Sequence, residues 1–328
     1  GEVTALYGSA GVDNLGDESI TLTENLTVTQ ANVIDGLTTG AITATIGNSS
    51  VSELVGGTPL LNANNNNAYT IAISSEDAAV SASDLNAINE LTTVAVDLTN
   101  VTSITSSSLT DLEILGIAIG NSEFSNATGI TTIALSDTTI DATTLAATIS
   151  SIDFINGLNT TLMTLASGAT INIDASEPTL IARILGHETG SIVGGSELTI
   201  SDQDIVVTGN ISVDDANLLS ATTTGTVTAS ITTTESITEL KTLTETSNAY
   251  TIVTSSADAT ATASDLNTLD AKTTVTIDAG AITELLGTYG EVTALYGSAG
   301  VDNLGDESIT LTENLTVTQA NVIDGLTT

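Results

Sequence analysis

Residues 1–39, from "GEVTALYGSAG" to "NVIDGLTT", recur as residues 290–328 without a single difference. Unrelated globular domains do not share identical segments, whereas self-similarity at a fixed period is the signature of repeat architectures. Position 290 matches position 1, so the offset is 290 − 1 = 289. The expectation is a tandem array: 1–289 is one full repeat unit, and 290–328 starts the next identical unit. Gly40 over again is then expected after Thr328.

A second, degenerate repeat lies inside the unit. "TQANVIDGLTTGAIT" (29–43), "ASDLNAINELTTVAV" (82–96), "VDDANLLSATTTGTV" (213–227) and "ASDLNTLDAKTTVTI" (263–277) share one order. A polar start leads to Asn, an Ile or Leu, Thr-Thr and then a strand-like run. The aligned Asn positions are 32, 86, 217, 267 and 321. Residues 67–97 and 248–278 agree at 18 of 31 positions. Duplication of one module explains all of this.

Each module opens with a helix signal. In "SASDLNAINEL", Ser83 is expected to cap the first turn, and Asp84 suits the positive end of the helix. Leu85, Ile88 and Leu91 form one apolar stripe at spacing three, as do Ala31, Ile34 and Leu37. Helices of about two turns cannot stand alone and must pack on something. Runs such as "GAITATI" (40–46), "AYTIAIS" (68–74), "TTVAVDL" (92–98), "LGIAIGN" (115–121), "ITTIALSD" (130–137) and "ATINIDA" (169–175) read as strands. Their centres are often about 22–28 residues apart, the length of one solenoid coil, and near-continuous apolar strands suit parallel pairing. The expected fold is a β-solenoid: parallel, right-handed, β-helix-like coils of about 22–28 residues, with short helices on part of the wall. A string of β-sandwiches is the alternative. It would need hairpin turns throughout, and only two such pairs occur per unit, Asp35-Gly36, in a helix-like segment, and Asn156-Gly157.

Composition narrows the function. Aromatics make up 2 %, Trp is absent, and Ile, Leu, Val and Ala supply the apolar part. Small β-branched side chains suit stacked strands. Forty acids face Lys241, Lys272 and Arg183, for a formal net charge of -37. That excludes nucleic-acid binding through phosphate neutralisation and disfavours an anionic membrane. Dispersed acids keep the chain soluble and make copies repel, which salt or divalent cations relieve. Saline or calcium-rich surroundings follow. Cys is absent, so no disulfide staples the fold. No apolar run reaches the roughly 18 residues of a membrane span. No signal peptide opens the sequence, so targeting signals are expected elsewhere in a longer chain.

Three short features are candidates for chemistry. The first is Gly8, Gly11, Asp13 and Leu15, repeated as Gly297, Gly300, Asp302 and Leu304. This spacing resembles the calcium-binding nonapeptide of the repeats-in-toxin family, with Ser9 in place of its second Gly. The resemblance implies calcium, held by carbonyls and carboxylates of two stacked turns. Only one such turn occurs per unit, and Asp17 (Asp306 in the second copy) and Glu18 stand nearby as further oxygen ligands. The plain alternative is a Gly-rich turn into the next strand. The second is His187, the only histidine, in "LGHETG"; with no partner it reads as a loop residue, and Arg183 as one face of a helix. The third is Thr-x-Thr, as at Thr21/Thr23 and Thr43/Thr45, which lacks the strict short period of an ice-binding array and reads as strand. Phosphate loops and nucleophile elbows are missing. Asn25, Asn48, Asn100, Asn126, Asn159 and Asn210 sit in glycosylation sequons.

Taken together, the acidity, the absence of Cys, the long identical repeats and "SASDLNAINELTTVAVD" resemble the giant tandem-repeat surface proteins of bacteria, notably cyanobacteria. The resemblance implies a structural, extracellular protein without enzyme activity. It would be exported by a type I pathway and would self-associate into a rod, fibre or surface layer, with polysaccharide or cell-surface contact. An adhesin stalk and a polysaccharide-active β-helix enzyme are the alternatives. The enzyme would need Arg or Lys in a cleft, which this chain almost lacks.

Overall fold

A computed structural model describes residues 1–47, 50–57, 60–62, 66–145, 162–176 and 197–326. The elements run α1 (Glu2–Tyr7), β1 (Ile20–Leu26), α2 (Val28–Asp35), β2 (Ile42–Ile46), β3 (Ala68–Thr70), β4 (Ala79–Val80), α3 (Ala82–Asn89), β5 (Val96–Asp97), β6 (Ser103–Ser107) and α4 (Leu109–Gly120). They continue with β7 (Phe124–Ser125), β8 (Thr132–Leu135), β9 (Thr139–Asp141), β10 (Leu162–Thr164), β11 (Thr170–Asp174), β12 (Glu197–Thr199), β13 (Asp204–Ile211), α5 (Val213–Thr222), β14 (Val227–Ile231) and α6 (Ile237–Leu240). The last are β15 (Ala249–Thr251), β16 (Thr260–Thr262), α7 (Ala263–Asp270), β17 (Ile277–Asp278), β18 (Glu284–Gly287), α8 (Tyr289–Gly297), β19 (Val301–Asp302), β20 (Ser308–Leu311) and α9 (Val317–Asp324).

The chain divides into two compact units. The first contains residues 1–137 with β10 and β12, in sheets ordered β1-β2-β3, β12-β10-β8-β6-β4 and β5-β7. The second contains β9, β11 and residues 200–326, in sheets ordered β15-β14-β13-β11-β9, β16-β18-β20 and β17-β19. Pairing is parallel in both. Ile20 faces Ile42, Ile171 faces Ile205 and Leu285 faces Ile309, so like apolar residues meet across the ladder.

The expected β-solenoid of right-handed β-helix coils does not form. The described strands fall into six separate short parallel sheets of two, three or five strands, and α-helices alternate with them along the chain, an α/β mixture. Helix caps explain the interruption. Thr27, Ser81, Ser108, Ser212, Ser236, Thr262, Thr288 and Thr316 each accept a hydrogen bond from the backbone N–H three residues on. Each cap satisfies an otherwise orphaned amide and turns the chain into a helix at once. The excursion between paired strands also varies. Thr228 pairs with Ala249, whereas Leu162 pairs with Glu197 after a far longer stretch of chain.

Two local expectations change. Ser81, not Ser83, caps α3, with its Oγ 3.1 Å from Asp84 N, because β4 ends at Val80 and the helix follows directly. "LGIAIGN" (115–121) is not a strand but lies in α4 up to Gly120. Its apolar residues alternate, yet Leu109, Leu112 and Leu115 at helical spacing are the ones buried, while Ile114 and Ile117 face solvent. The Ser108 cap, which accepts from Asp111 N, decides between the two periods. Elsewhere most of the stripes are buried: Ala31 and Ile34, and Leu85, Ile88 and Leu91, are core residues, as are Leu266 and Leu269, while Leu37 is half-buried. Each Leu or Ile so buried is worth about 1.5–3 kcal/mol.

Candidate functional site: the contact between successive modules

The residues that mark the repeat in sequence are those that join one module to its neighbour. Asn32 Nδ2 donates to Leu60 O (2.5 Å), Asn86 Nδ2 to Asp111 O (2.9 Å), Asn217 Nδ2 to Thr242 O (3.1 Å) and Asn267 Nδ2 to Glu291 O (3.0 Å). Two of them also accept from that neighbour, Asn32 from Asn62 N (2.9 Å) and Asn217 from Thr244 N (2.9 Å). An Asn amide does this because it carries donor and acceptor on one short arm. The helix puts that arm on the side facing the following module.

Thr-Thr reaches the other way. The first hydroxyl donates to the preceding module: Thr38 to Glu18 O (2.6 Å), Thr92 to Tyr69 O (2.7 Å), Thr223 to Gln203 O (2.6 Å) and Thr273 to Tyr250 O (2.7 Å). The second Thr donates its backbone N–H to that module, as Thr39 to Gly16 O and Thr93 to Asn67 O. Close approach also explains Gly40 and Gly225 after Thr-Thr. A Cβ there would collide with the backbone carbonyls of Glu18 and Gln203.

Acids close the helix starts across the same gap. Leu109 N, at the start of α4, donates to Asp137 Oδ2 (2.8 Å), Ile237 N of α6 to Asp258 Oδ2 (2.9 Å), and Tyr289 N of α8 to Glu313 Oε1 (2.7 Å). A carboxylate there meets a free amide and the positive end of the helix together. Part of the acidity read from composition is therefore a joining device.

Each compact unit also holds one "NAYTI" segment. Asn67 and Asn248 are buried, with Tyr69 and Tyr250 beside them. Asn67 accepts from Ile42 N (2.8 Å) and donates to Asp35 Oδ1 (2.8 Å) and Tyr69 Oη (3.1 Å). Asn248 accepts from Val227 N (2.8 Å) and donates to Ser220 Oγ (2.8 Å) and Tyr250 Oη (3.0 Å). Burial, then the charge on Asp35, pushes the Tyr69 hydroxyl well above its ordinary pKa, and burial raises that of Tyr250 against the bonds to Ser220 and Asn248.

Other displaced pKa values follow the same joints. Asn126 donates to Asp97 Oδ1 (2.9 Å) and Asn303 to Asp278 Oδ1 (2.8 Å), and these bonds hold both carboxyls below the usual carboxylate range. Both Asn donors are in the left-handed region, φ 59 and 63, which Asn tolerates better than other residues with side chains. Lys241 pairs with Asp265 and lowers its pKa, and Lys272 Nζ donates to Leu243 O (2.6 Å).

The Gly-Asp turn falls in two settings. In the first copy Gly8, Gly11, Asp13 and Asp17 lie after α1 and are all exposed, and Glu18 Oε2 accepts from Tyr7 Oη (2.8 Å) and Gly16 N (2.7 Å). In the second copy Gly297 ends α8, and Gly300 passes so close to Asp270 that a Cβ would overlap its carboxylate. Asp302 pairs in β19 and accepts from Asn303 N (2.8 Å), and Asp306 is exposed. No group of three or more His, Cys, Asp or Glu able to hold a metal occurs among the described residues. His187, Glu188, Arg183, Asn48 and Asn159 lie outside the described residues. Among the other sequons, Asn100 donates to Ile73 O (2.8 Å) and Asn126 serves Asp97. No described helix is long and apolar enough to cross a membrane.

No known protein family, curated protein or solved structure matches the chain.

Proposed function

We propose that this chain is a structural, extracellular repeat protein whose identical units join into a long rod, fibre or surface layer. The observation that carries the reading is the recurrence of one joint. An Asn reaches forward and Thr-Thr reaches back at each of the four aligned modules from 29 to 277. Polar groups that an enzyme would direct at a substrate are here directed at the neighbouring module. Further support comes from the exact recurrence of residues 1–39 at 290–328, the net charge of -37 and the absence of Cys, which suit a saline exterior. Its partners on this reading are further copies of the same repeat. Calcium or another divalent cation enters as a counter-ion between acidic walls, not as a catalytic group.

Negative-stain microscopy of the native material tests this. Long fibres or sheets with a constant axial repeat are expected. Isolated globular particles at all salt concentrations would remove the structural reading.

A further inference from the structure

The two identical copies, 1–39 and 290–328, are covered on opposite sides, and each shows what the other lacks. In the first copy Val28, Ala31 and Ile34 of α2 are buried, and β2, Leu60, Asn62 and Asn67 lie against that helix; in the second their counterparts Val317 and Ala320 are exposed and Ile323 is half-buried. The reverse holds at the start of the repeat. Leu295 and Val301 are buried against residues 263–287, while their counterparts Leu6 and Val12 are 47 % and 39 % exposed.

Polar groups tell the same story. β1 is paired along β2, whereas β20 is an edge strand among the described residues, and an open edge is a template for another strand. Asn32 bridges to Leu60 O and Asn62 N, and Asp35 accepts from Asn62 and Asn67. Their counterparts in the second copy, Asn321 and Asp324, are exposed. Four of the five aligned Asn side chains span a joint; the fifth, Asn321, is presented at the open end of its unit.

We infer that the face formed by β20 and α9 takes a second copy of residues 40–71 as its partner, borne by the next repeat unit. It does so in the register seen between β1 and β2, with Ile309 opposite the next Ile42 and Asn321 bridging to the next Leu60 and Asn62. Sequence identity commits the surface to this occupant, because residues 1–39 already bind that segment once in this chain. The inference deepens the structural reading above and rests on it.

The test is the full chain extended after Thr328 by residues 40–328 once more, compared with the chain ending at Thr328. A Thr318→Ser substitution, at a position exposed in both copies, distinguishes the otherwise identical peptides by mass. Amide exchange over 308–326 is expected to be fast in the shorter chain. In the extended chain it should slow by about a hundredfold, towards the rate of the untagged 19–37 peptide of the shorter chain. Unchanged fast exchange in the extended chain overturns the inference. Asn321→Ala in the extended chain should restore part of the fast exchange; full protection despite this change would overturn the proposed register. Protection with only isolated particles in the microscope leaves the joint and removes the fibre. Fibres with an unprotected 308–326 do the opposite.

Discussion

Replacing the buried amide of "NAYTI" asks how much one Asn contributes, and whether charge matters. Asn67→Leu keeps the side chain's length and leaves no room for water to stand in. It strips Ile42 N of its acceptor and removes one donor from Asp35, which is itself only 5 % exposed. An orphaned buried amide costs about 1–3 kcal/mol, and a lost bond to a charged group about 1.5–3 kcal/mol. The apolar gain from Leu offsets about 1 kcal/mol, leaving a loss centred on about 3 kcal/mol. Asn248→Leu removes the same acceptor from Val227 N, but its other partner is the neutral Ser220 hydroxyl, and Tyr250 Oη keeps Ala216 O at 3.3 Å. About 1–2 kcal/mol is expected there. Thermal unfolding followed by circular dichroism reads both, each on the transition of its own unit. At about 2–4 °C per kcal/mol for units of this size, Asn67→Leu lowers its midpoint by roughly 6–12 °C. A loss under about 1 kcal/mol at Asn67, or an equal loss at the two sites, refutes the argument from the buried carboxylate.

Three further outcomes are expected. Gly300→Ala, whose Cβ would meet Asp270 Oδ1 and push the carboxylate from Ser298 Oγ, lowers stability by about 1–2 kcal/mol. Gly11→Ala, with nothing nearer than Ser9 Oγ at 3.8 Å, leaves urea unfolding unchanged; equal effects would show that the twin turns are equivalent after all. Asp278 titrates below its ordinary 3.8 because Asn303 and then Gly280 N bond the carboxylate. The folded pKa is the depressed one, so this contribution to stability is full above about pH 4 and is lost as pH falls through the folded value. Asn303→Ala should move the carboxyl titration back towards 3.8 by NMR, and an unmoved pKa would refute the assignment. Sodium chloride should raise the melting midpoint by screening the net charge of -37, and Ca²⁺ and Mg²⁺ should do so equally. A rise specific to Ca²⁺ and reversed by EGTA would make the Gly-Asp turn an ion site.

Much of the joint is legible in the sequence, but as pattern without purpose. The aligned Asn and the Thr-Thr pairs stand out because duplication preserved them, yet their direction across the gap depends on what lies a whole module away. The Asp and Glu that close helix starts are invisible in a chain where acids are everywhere: nothing local separates Asp137 or Glu313 from a solvated carboxylate. The Thr-rich strands and apolar stripes are readable because their periods, two for a strand and between three and four for a helix, are local. Over 115–121 a local reading fails because a short apolar run satisfies either period, and only the Ser108 cap breaks the tie.

By itself the sequence determined the long exact repeat, the acidic and cysteine-free character, the parallel tendency of the strands and the two-turn helices. These follow from residue identity and spacing, which act locally. Tertiary structure alone decided that the strands gather in separate short sheets interrupted by helices. It also decided that identical segments end up in different environments. Leu6 is 47 % exposed and Leu295 is buried, although the copies that contain them are the same residue for residue. Burial depends on which segment arrives to cover a face, and a sequence read locally carries no record of that neighbour.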